Sequence, residues 1–77
     1  MDGVLIYTDY GWYISHISQE GGTNKFPLHP SDIEYVKGEI MQDKMTTIQF
    51  HVVHDWCGID NEGDLMSCDY GKITNYV

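Results

Sequence analysis

The chain has 77 residues and a formal net charge of -8, because twelve carboxylates outweigh four lysines and arginine is absent. A chain of this length forms one domain with a small hydrophobic core. Binding duplex DNA by counterion release requires clustered basic side chains, and a membrane span requires about 20 consecutive apolar residues, so the composition excludes both.

The first third of the chain predicts short strands separated by turn residues. The predicted strands are residues 4–8, 12–17 and 25–28. Alternation in the second strand places Trp12 and Ile14 on one face and Tyr13 on the other. Pro27 has no backbone N–H to donate, so the third strand is expected at a sheet edge or a bulge.

One helix is predicted to follow the third strand. Ser31 is a suitable N-cap, and Glu34, three residues later, is placed to return a hydrogen bond to the Ser31 N–H as in a capping box. Ile33 and Val36 form an apolar stripe that Ile40 would continue. A glycine inside a helix costs about 1 kcal/mol, so Gly38 limits this helix to roughly two turns.

The second half of the chain returns to strand patterns. Residues 46–56 alternate, with a break that predicts a bulge or a sharp bend near residues 53–54. Glycine, asparagine and acidic residues predict a loop over residues 57–64. One or two last strands are expected over residues 65–70 and 73–74. The predicted core face of the long strand consists of Ile48, Phe50 and Val52.

This order of elements predicts a mainly β fold with one short helix. Five short antiparallel strands in the order β-β-β-α-β-β suit a small, partly open barrel like the oligonucleotide/oligosaccharide-binding (OB) fold. The helix would cover one end of the barrel, so that residues 1–77 share a single core.

Short motifs along the chain occur in the order found in one known family. They are Met-Asp-Gly-Val at 1–4, Tyr-Gly-Trp-Tyr-Ile at 10–14, Lys-Phe-Pro-Leu-His at 25–29, Thr-Ile-Gln-Phe-His-Val-Val at 47–53 and Tyr-Gly-Lys-Ile at 70–73. In these motifs the chain resembles the cold-shock domains. The resemblance implies an OB-type barrel with an aromatic face for single-stranded nucleic acid. The chain departs from that pattern in a second strand without basic residues and in a capped helix after the third strand.

An aromatic face provides one candidate binding site, for single-stranded nucleic acid or a nucleotide-like ligand. Bases stack on aromatic side chains with about 1–3 kcal/mol each, beside a positively charged groove. The net charge of -8 opposes this use. Salt screens that repulsion beyond about 8 Å, which leaves a local patch near Lys25 available. The candidate residues are Tyr10, Trp12, Tyr13, Phe26 and His29.

The acidic surface provides the preferred candidate, a contact with a basic-surfaced protein. A negative field attracts basic surfaces, and carboxylates can replace phosphates in the groove of a nucleic-acid-binding protein. The candidate contact residues lie in the first helical turn and in the 60–64 loop: Asp32, Glu34, Asp60, Glu62 and Asp64. The preferred hypothesis is therefore a non-enzymatic binding module, of the kind that a phage uses to inhibit or modulate a host nucleic-acid-handling protein.

The sequence has no phosphate-binding glycine loop and no nucleophile elbow, which disfavours an enzyme. No cofactor is expected. The N-terminus lacks a basic region followed by a long apolar one, so a cytoplasmic protein is predicted.

Cysteine and histidine spacing raises the question of a disulfide or a metal site. Two cysteines are too few for the disulfide framework of a small secreted domain, so Cys57 and Cys68 are expected as reduced thiols. A two-residue turn at 62–63 would place them directly opposite each other in a hairpin, with adjacent sulfurs. On a regular strand His51 and His54 face opposite sides, so exposed histidines are favoured over zinc ligands.

Overall fold

The computed structural model describes residues 1–39 and 45–76, which form one helix and one open five-stranded antiparallel sheet. The elements are β1 (Asp2–Thr8), β2 (Gly11–Ile17), β3 (Thr23–Pro27), α1 (Pro30–Gly38), β4 (Thr46–Ile59) and β5 (Leu65–Tyr76). The strands are ordered β3-β2-β1-β4-β5 across the sheet. The predicted mainly β fold, with one helix between the third and fourth strands, is confirmed at this level.

The first three strands follow the sequence pattern closely. Trp12 and Ile14 are buried on the face that the alternation in β2 predicted. Leu5 of β1 lies opposite Ile14 and is also fully buried. Strand β3 lies at one edge of the strand order, as Pro27 predicted, because a central strand would need the N–H that proline lacks.

A single apolar core lies between one face of the sheet and the helix. It consists of Leu5, Trp12, Ile14, Leu28, Val36, Ile48 and Phe50, with Phe26, Ile33, Val52, Ile73 and Tyr76 packed at its margin. The predicted stripe of α1 and the predicted core face of β4 both contribute to it, which confirms those assignments. Ile40 lies outside the described residues.

A parallel bridge brings the two ends of the strand order together. Leu28, just after edge strand β3, pairs in parallel with Gly71 of β5. The next residue, His29, donates its backbone N–H to the Gly71 carbonyl at 3.1 Å. This contact places the start of α1 beside β5.

The helix begins two residues earlier than predicted. Its N-cap is His29, whose ring Nδ1 accepts a hydrogen bond from the Ser31 N–H at 3.2 Å. The predicted cap at Ser31 is therefore wrong. The physical reason is Pro30, whose fixed φ and missing N–H favour the first helical position. The helix ends at Gly38, in agreement with the predicted length of roughly two turns.

The last two strands are longer than predicted and differ from the prediction in register. Strand β4 continues through Ile59, so only part of the predicted 57–64 loop is a loop, and β5 is one continuous strand. The bulges occur between Gln49 and Phe50 and between Trp56 and Gly58, so the bulge predicted near residues 53–54 is wrong. Val53 and His54 instead pair regularly with β5, and that cross-strand pairing overrides the break in their hydrophobic pattern.

Cys57 and Cys68 form a disulfide across this hairpin, with their Cα atoms 5.7 Å apart. The prediction of reduced thiols is therefore wrong. The predicted direct opposition is wrong as well, because Cys68 lies opposite Asp55. The turn has three residues between Asp60 and Asp64 instead of two, with Gly63 at a φ of 83° as a three-residue hairpin loop requires. Cys57 occupies the separate bulge between Trp56 and Gly58.

Candidate functional site

The outer part of the β4–β5 hairpin projects away from the core. We call residues 54–69 the hairpin arm. All of them are exposed except Cys68, which is half-buried. Strand β1 pairs with β4 only at Thr46–Gln49, so it gives the arm no neighbouring strand. The radius of gyration is 13.2 Å, whereas a compact domain of this length has about 11.5 Å. The protruding arm explains why the observed radius is larger than that of a compact domain.

One face of the hairpin arm is apolar. Ile59 lies opposite Leu65, and Trp56 lies opposite Ser67, two residues along β5 from Leu65. Residues directly opposed in an antiparallel pair project on the same side, and alternate residues of a strand share a face. The Trp56, Ile59 and Leu65 side chains are 63%, 66% and 61% exposed, respectively. We call this trio the Trp56 face.

The Trp56 face continues the core face of the sheet. Along the hairpin, the paired positions on this side are Phe50 with Ile73, Val52 with Gly71, and His54 with Asp69 before Trp56 is reached. The apolar surface is therefore covered near the centre of the molecule and uncovered in the arm. A solvent-exposed extension of a core face is the type of surface that protein partners cover.

The hairpin arm is acidic. Residues 54–69 contain no lysine or arginine, and they carry Asp55, Asp60, Glu62, Asp64 and Asp69. In the turn, Asp60 Oδ1 accepts hydrogen bonds from the Glu62 and Asp64 N–H groups, both at 2.9 Å. Asp60 therefore fixes the turn, and the exposed side chains of Glu62 and Asp64 project from it.

Two histidines pair with carboxylates near the base of the arm. His29 Nε2 lies 3.3 Å from Asp55 Oδ2, and the His54 ring contacts the Asp69 carboxylate. Because Nδ1 of His29 accepts from the Ser31 N–H, the Nε2–H of neutral His29 donates to Asp55. His29, a candidate ligand residue, is thus engaged in capping α1 and in holding the base of the arm.

Asp32 and Glu34, the candidate acidic residues of α1, lie apart from the acidic residues of the 60–64 turn. Asp32 accepts the Ile73 N–H at 2.8 Å and the Lys72 ammonium at 3.3 Å, and its side chain is 15% exposed. It anchors α1 to β5 and presents little surface to a partner. Glu34 is exposed. Measured from Asp55, which contacts the start of α1, the turn lies roughly 16 Å farther along the strand at about 3.3 Å per residue.

The candidate aromatic residues do not form one exposed face. Trp12 is 7% exposed and packs in the core, and Phe26 is half-buried against that core. Tyr10 is 90% exposed and Tyr13 is half-buried. These two tyrosines share a cleft of about 310 Å³ on the outer side of β1 and β2, lined by Ile6, Thr8, Tyr10, Tyr13 and Lys25.

A wider depression of about 430 Å³ lies between α1 and the end of β5. The Tyr76 hydroxyl is buried at its margin and has no hydrogen-bond partner among the described residues. Burial raises the pKa of Tyr76 to about 12, and the neighbouring Tyr35 adds to the effect. The buried hydroxyl at the margin of this depression is therefore a neutral phenol.

Within residues 1–39 and 45–76, no three histidine, cysteine or acidic side chains converge in a way that would hold a metal ion. His51 lies opposite Lys72, and His54 lies opposite Asp69. None of the helical residues described forms a segment long and apolar enough to cross a membrane.

The Trp56 face was not predicted from the sequence, because residues 57–64 were expected to form a loop. The available signal was the pair Ile59 and Leu65, which flanks the turn sequence Asp-Asn-Glu-Gly-Asp at 60–64. Apolar residues on both sides of an aspartate- and glycine-containing turn are typical of a hairpin.

Comparison of the chain with protein-family models, with curated proteins and with solved structures gave no match. The function is therefore inferred from the geometry of the hairpin arm and of the cleft that contains Tyr10 and Tyr13, which we call the tyrosine cleft.

Proposed function

We propose that this protein is a small acidic binding module, without catalytic activity, that acts through a basic-surfaced protein partner. The observation that carries the proposal is the hairpin arm, which has an exposed apolar face, five carboxylates and no lysine or arginine. Aromatic and apolar residues anchor protein interfaces, and complementary charge accelerates the encounter.

We propose further that the partner is a host protein that handles nucleic acid and that this module inhibits or modulates it, as a phage accessory protein would. Carboxylates spaced along a rigid arm can occupy positions that phosphates take in a basic groove. Exposed Glu62 and Asp64 at the tip of the arm support this role, because they are free of the contacts that hold Asp32 in the fold.

An OB-like barrel is the proposed description of the fold. The parallel bridge between Leu28 and Gly71 supports it, because the bridge joins the edge strand β3 to β5 at the other end of the strand order. The helix between β3 and β4 supports it as well. The resemblance to cold-shock domains would then concern the scaffold, while the acidic surface changes the ligand.

The experiment that tests the function captures partners from a bacterial lysate treated with nuclease, using the tagged protein as bait. Each captured protein is purified, and its complex with a labelled oligonucleotide is titrated with the module. Displacement of the oligonucleotide by the wild-type module, weakened when Glu62 and Asp64 are changed to Gln and Asn, supports the proposal. Captured proteins that keep their nucleic acid in the presence of excess module contradict it.

Single-stranded nucleic acid or a nucleotide is the second candidate ligand. The tyrosine cleft supports it, since Tyr10 is exposed and Lys25 supplies a positive charge beside Tyr13. Two stacking side chains and one lysine form a smaller site than the five aromatic and histidine residues expected from the sequence. Anisotropy of a labelled oligothymidine at low salt tests it, and binding that is lost in Tyr10→Ala would favour this ligand over a protein.

A further inference from the structure

The geometry of the arm points to a specific contact: the Trp56 face binds a protein segment whose apolar side chains are flanked by lysine or arginine. This inference deepens the proposed function, on which it rests, by naming the surface of the module and the chemistry of its occupant.

The apolar side chains of the Trp56 face are largely exposed. Trp56, Ile59 and Leu65 each expose more than 60% of their surface, on the side of the hairpin that forms the core farther inward. Nothing among the described residues covers them. Tryptophan is enriched among the residues that dominate binding energy at protein interfaces.

The negative charge next to the Trp56 face identifies the occupant. The carboxylates of the 60–64 turn stand next to Ile59 and Leu65 at the tip of the arm. An apolar segment that carries basic residues at its borders would cover the apolar face and meet these carboxylates at the rim. A second copy of the chain would bring like charges together, since residues 54–69 carry no lysine or arginine.

A disulfide and several hydrogen bonds hold the hairpin arm, and with it the Trp56 face, in a fixed position. The Cys57–Cys68 disulfide crosses the hairpin next to Trp56, and Asp60 holds the turn through two backbone N–H groups. The contact of His29 with Asp55 fixes the base of the arm to the start of α1. A surface that is ordered before binding loses less conformational entropy when the partner docks.

The test uses a defined probe, a labelled peptide of alternating leucine and lysine, with fluorescence anisotropy as the readout. A lysine-only peptide measures attraction by charge alone. The face is probed with Trp56→Ala, and its matched control is Ile17→Ala, which removes an exposed apolar side chain elsewhere. The rim is probed with Glu62→Gln plus Asp64→Asn, and its matched control is Asp9→Asn plus Glu20→Gln, which makes the same change of charge at two other turns.

The inference predicts that Trp56→Ala weakens binding of the leucine–lysine peptide by at least about tenfold. The Glu62→Gln plus Asp64→Asn variant should weaken it and flatten its salt dependence, while both controls stay within about twofold of wild type. For each variant, an intact mass that matches its calculated oxidised form and a circular dichroism spectrum like that of wild type establish that the disulfide and the fold are kept.

The inference would be overturned if wild type and Trp56→Ala bind the leucine–lysine peptide equally and high salt abolishes that binding. The proposal of an acidic binding module would still be supported by that result. No binding of either basic peptide would remove the proposed function as well. Self-association of wild type by sedimentation, abolished in Trp56→Ala, would overturn the assigned occupant in favour of a second copy.

Discussion

Cys57 and Cys68 are joined by a disulfide across the β4–β5 hairpin at the position where β4 carries an extra residue. This link lies in the one long segment of the described chain that has no core beneath it. A hairpin of two strands alone is marginally stable in water. The covalent link therefore helps to keep the Trp56 face ordered, which connects the cysteine pair to the proposed function.

Removing the disulfide with Cys57→Ser plus Cys68→Ser should loosen the arm and spare the core. For the 11-residue separation of these cysteines, the chain-entropy model gives at most about 3 kcal/mol. Hydrogen exchange should become faster over residues 54–69, while the amides of Ile14 and Phe50 keep their protection. Equal acceleration in the core would show that the hairpin unfolds together with the rest of the domain.

The disulfide also bears on the predicted cytoplasmic location, because disulfides are rare in reducing compartments. Protein taken from its native cells with free thiols blocked at lysis should have the mass of the oxidised form. Blocked thiols at both cysteines would instead show that the pair is reduced in the cell, in agreement with the cytoplasmic prediction.

Asp32→Ala should destabilise the protein by about 1–3 kcal/mol, because it leaves the Ile73 N–H without its acceptor and removes the carboxylate that pairs with Lys72. Glu34→Ala is the matched control on the same helix, where the side chain is exposed and a change within about 0.5 kcal/mol is expected. Urea denaturation measures both. Equal losses would mean that the contact between α1 and β5 contributes nothing beyond ordinary helix stability.

Gly3→Ala should cost about 1–3 kcal/mol by overpacking the core. A Cβ at this position would lie 2.7 Å from Ile14 Cγ2 and 3.0 Å from the Ser15 carbonyl oxygen, which is backbone and does not move easily. Gly58→Ala is the control, since a Cβ there meets nothing within 4 Å. We expect the midpoint of denaturation to fall for the first variant and to stay near wild type for the second.

Tyr76 should make the protein sensitive to alkaline pH. Burial raises its pKa from 10.0 to about 12 in the folded state, so the neutral phenol is favoured by folding. This contribution is complete below pH 10 and is lost as the pH rises toward 12. In Tyr76→Phe the fall in unfolding free energy over that range should be smaller than in wild type or in the exposed control Tyr10→Phe. Parallel curves for all three proteins would exclude Tyr76 as the cause.

The sequence predicted the strands and the helix well where periodicity alone decides the outcome. The alternation in β2 and the apolar stripe of α1 each identified the buried face, because one side of each element must pack on the core. Pro27 identified an edge strand from the hydrogen bond that it lacks. These features are local, and neighbouring residues determine them.

Features that depend on distant partners were not predicted. The turn at 60–64 has one residue more than assumed, which shifts the register by one, and the bulge between Trp56 and Gly58 shifts it by one more, so that Cys68 lies opposite Asp55. Trp12 and Trp56 are both aromatic residues in strands, but the helix and sheet cover the first and leave the second exposed. Asp32 was expected at the surface, whereas it accepts a hydrogen bond from the Ile73 N–H. That partner lies 41 residues away, so the residues around Asp32 do not reveal it.

The most direct test of the account maps the contact of the leucine–lysine peptide on the isotope-labelled protein by NMR. The account predicts the largest chemical-shift changes at the Trp56 indole N–H and at the backbone amides of residues 54–67, with little change at Tyr10, Tyr13 and Lys25. Changes centred on that tyrosine cleft, or spread evenly over all exposed carboxylates, would contradict the claim that the hairpin arm is the partner-binding surface.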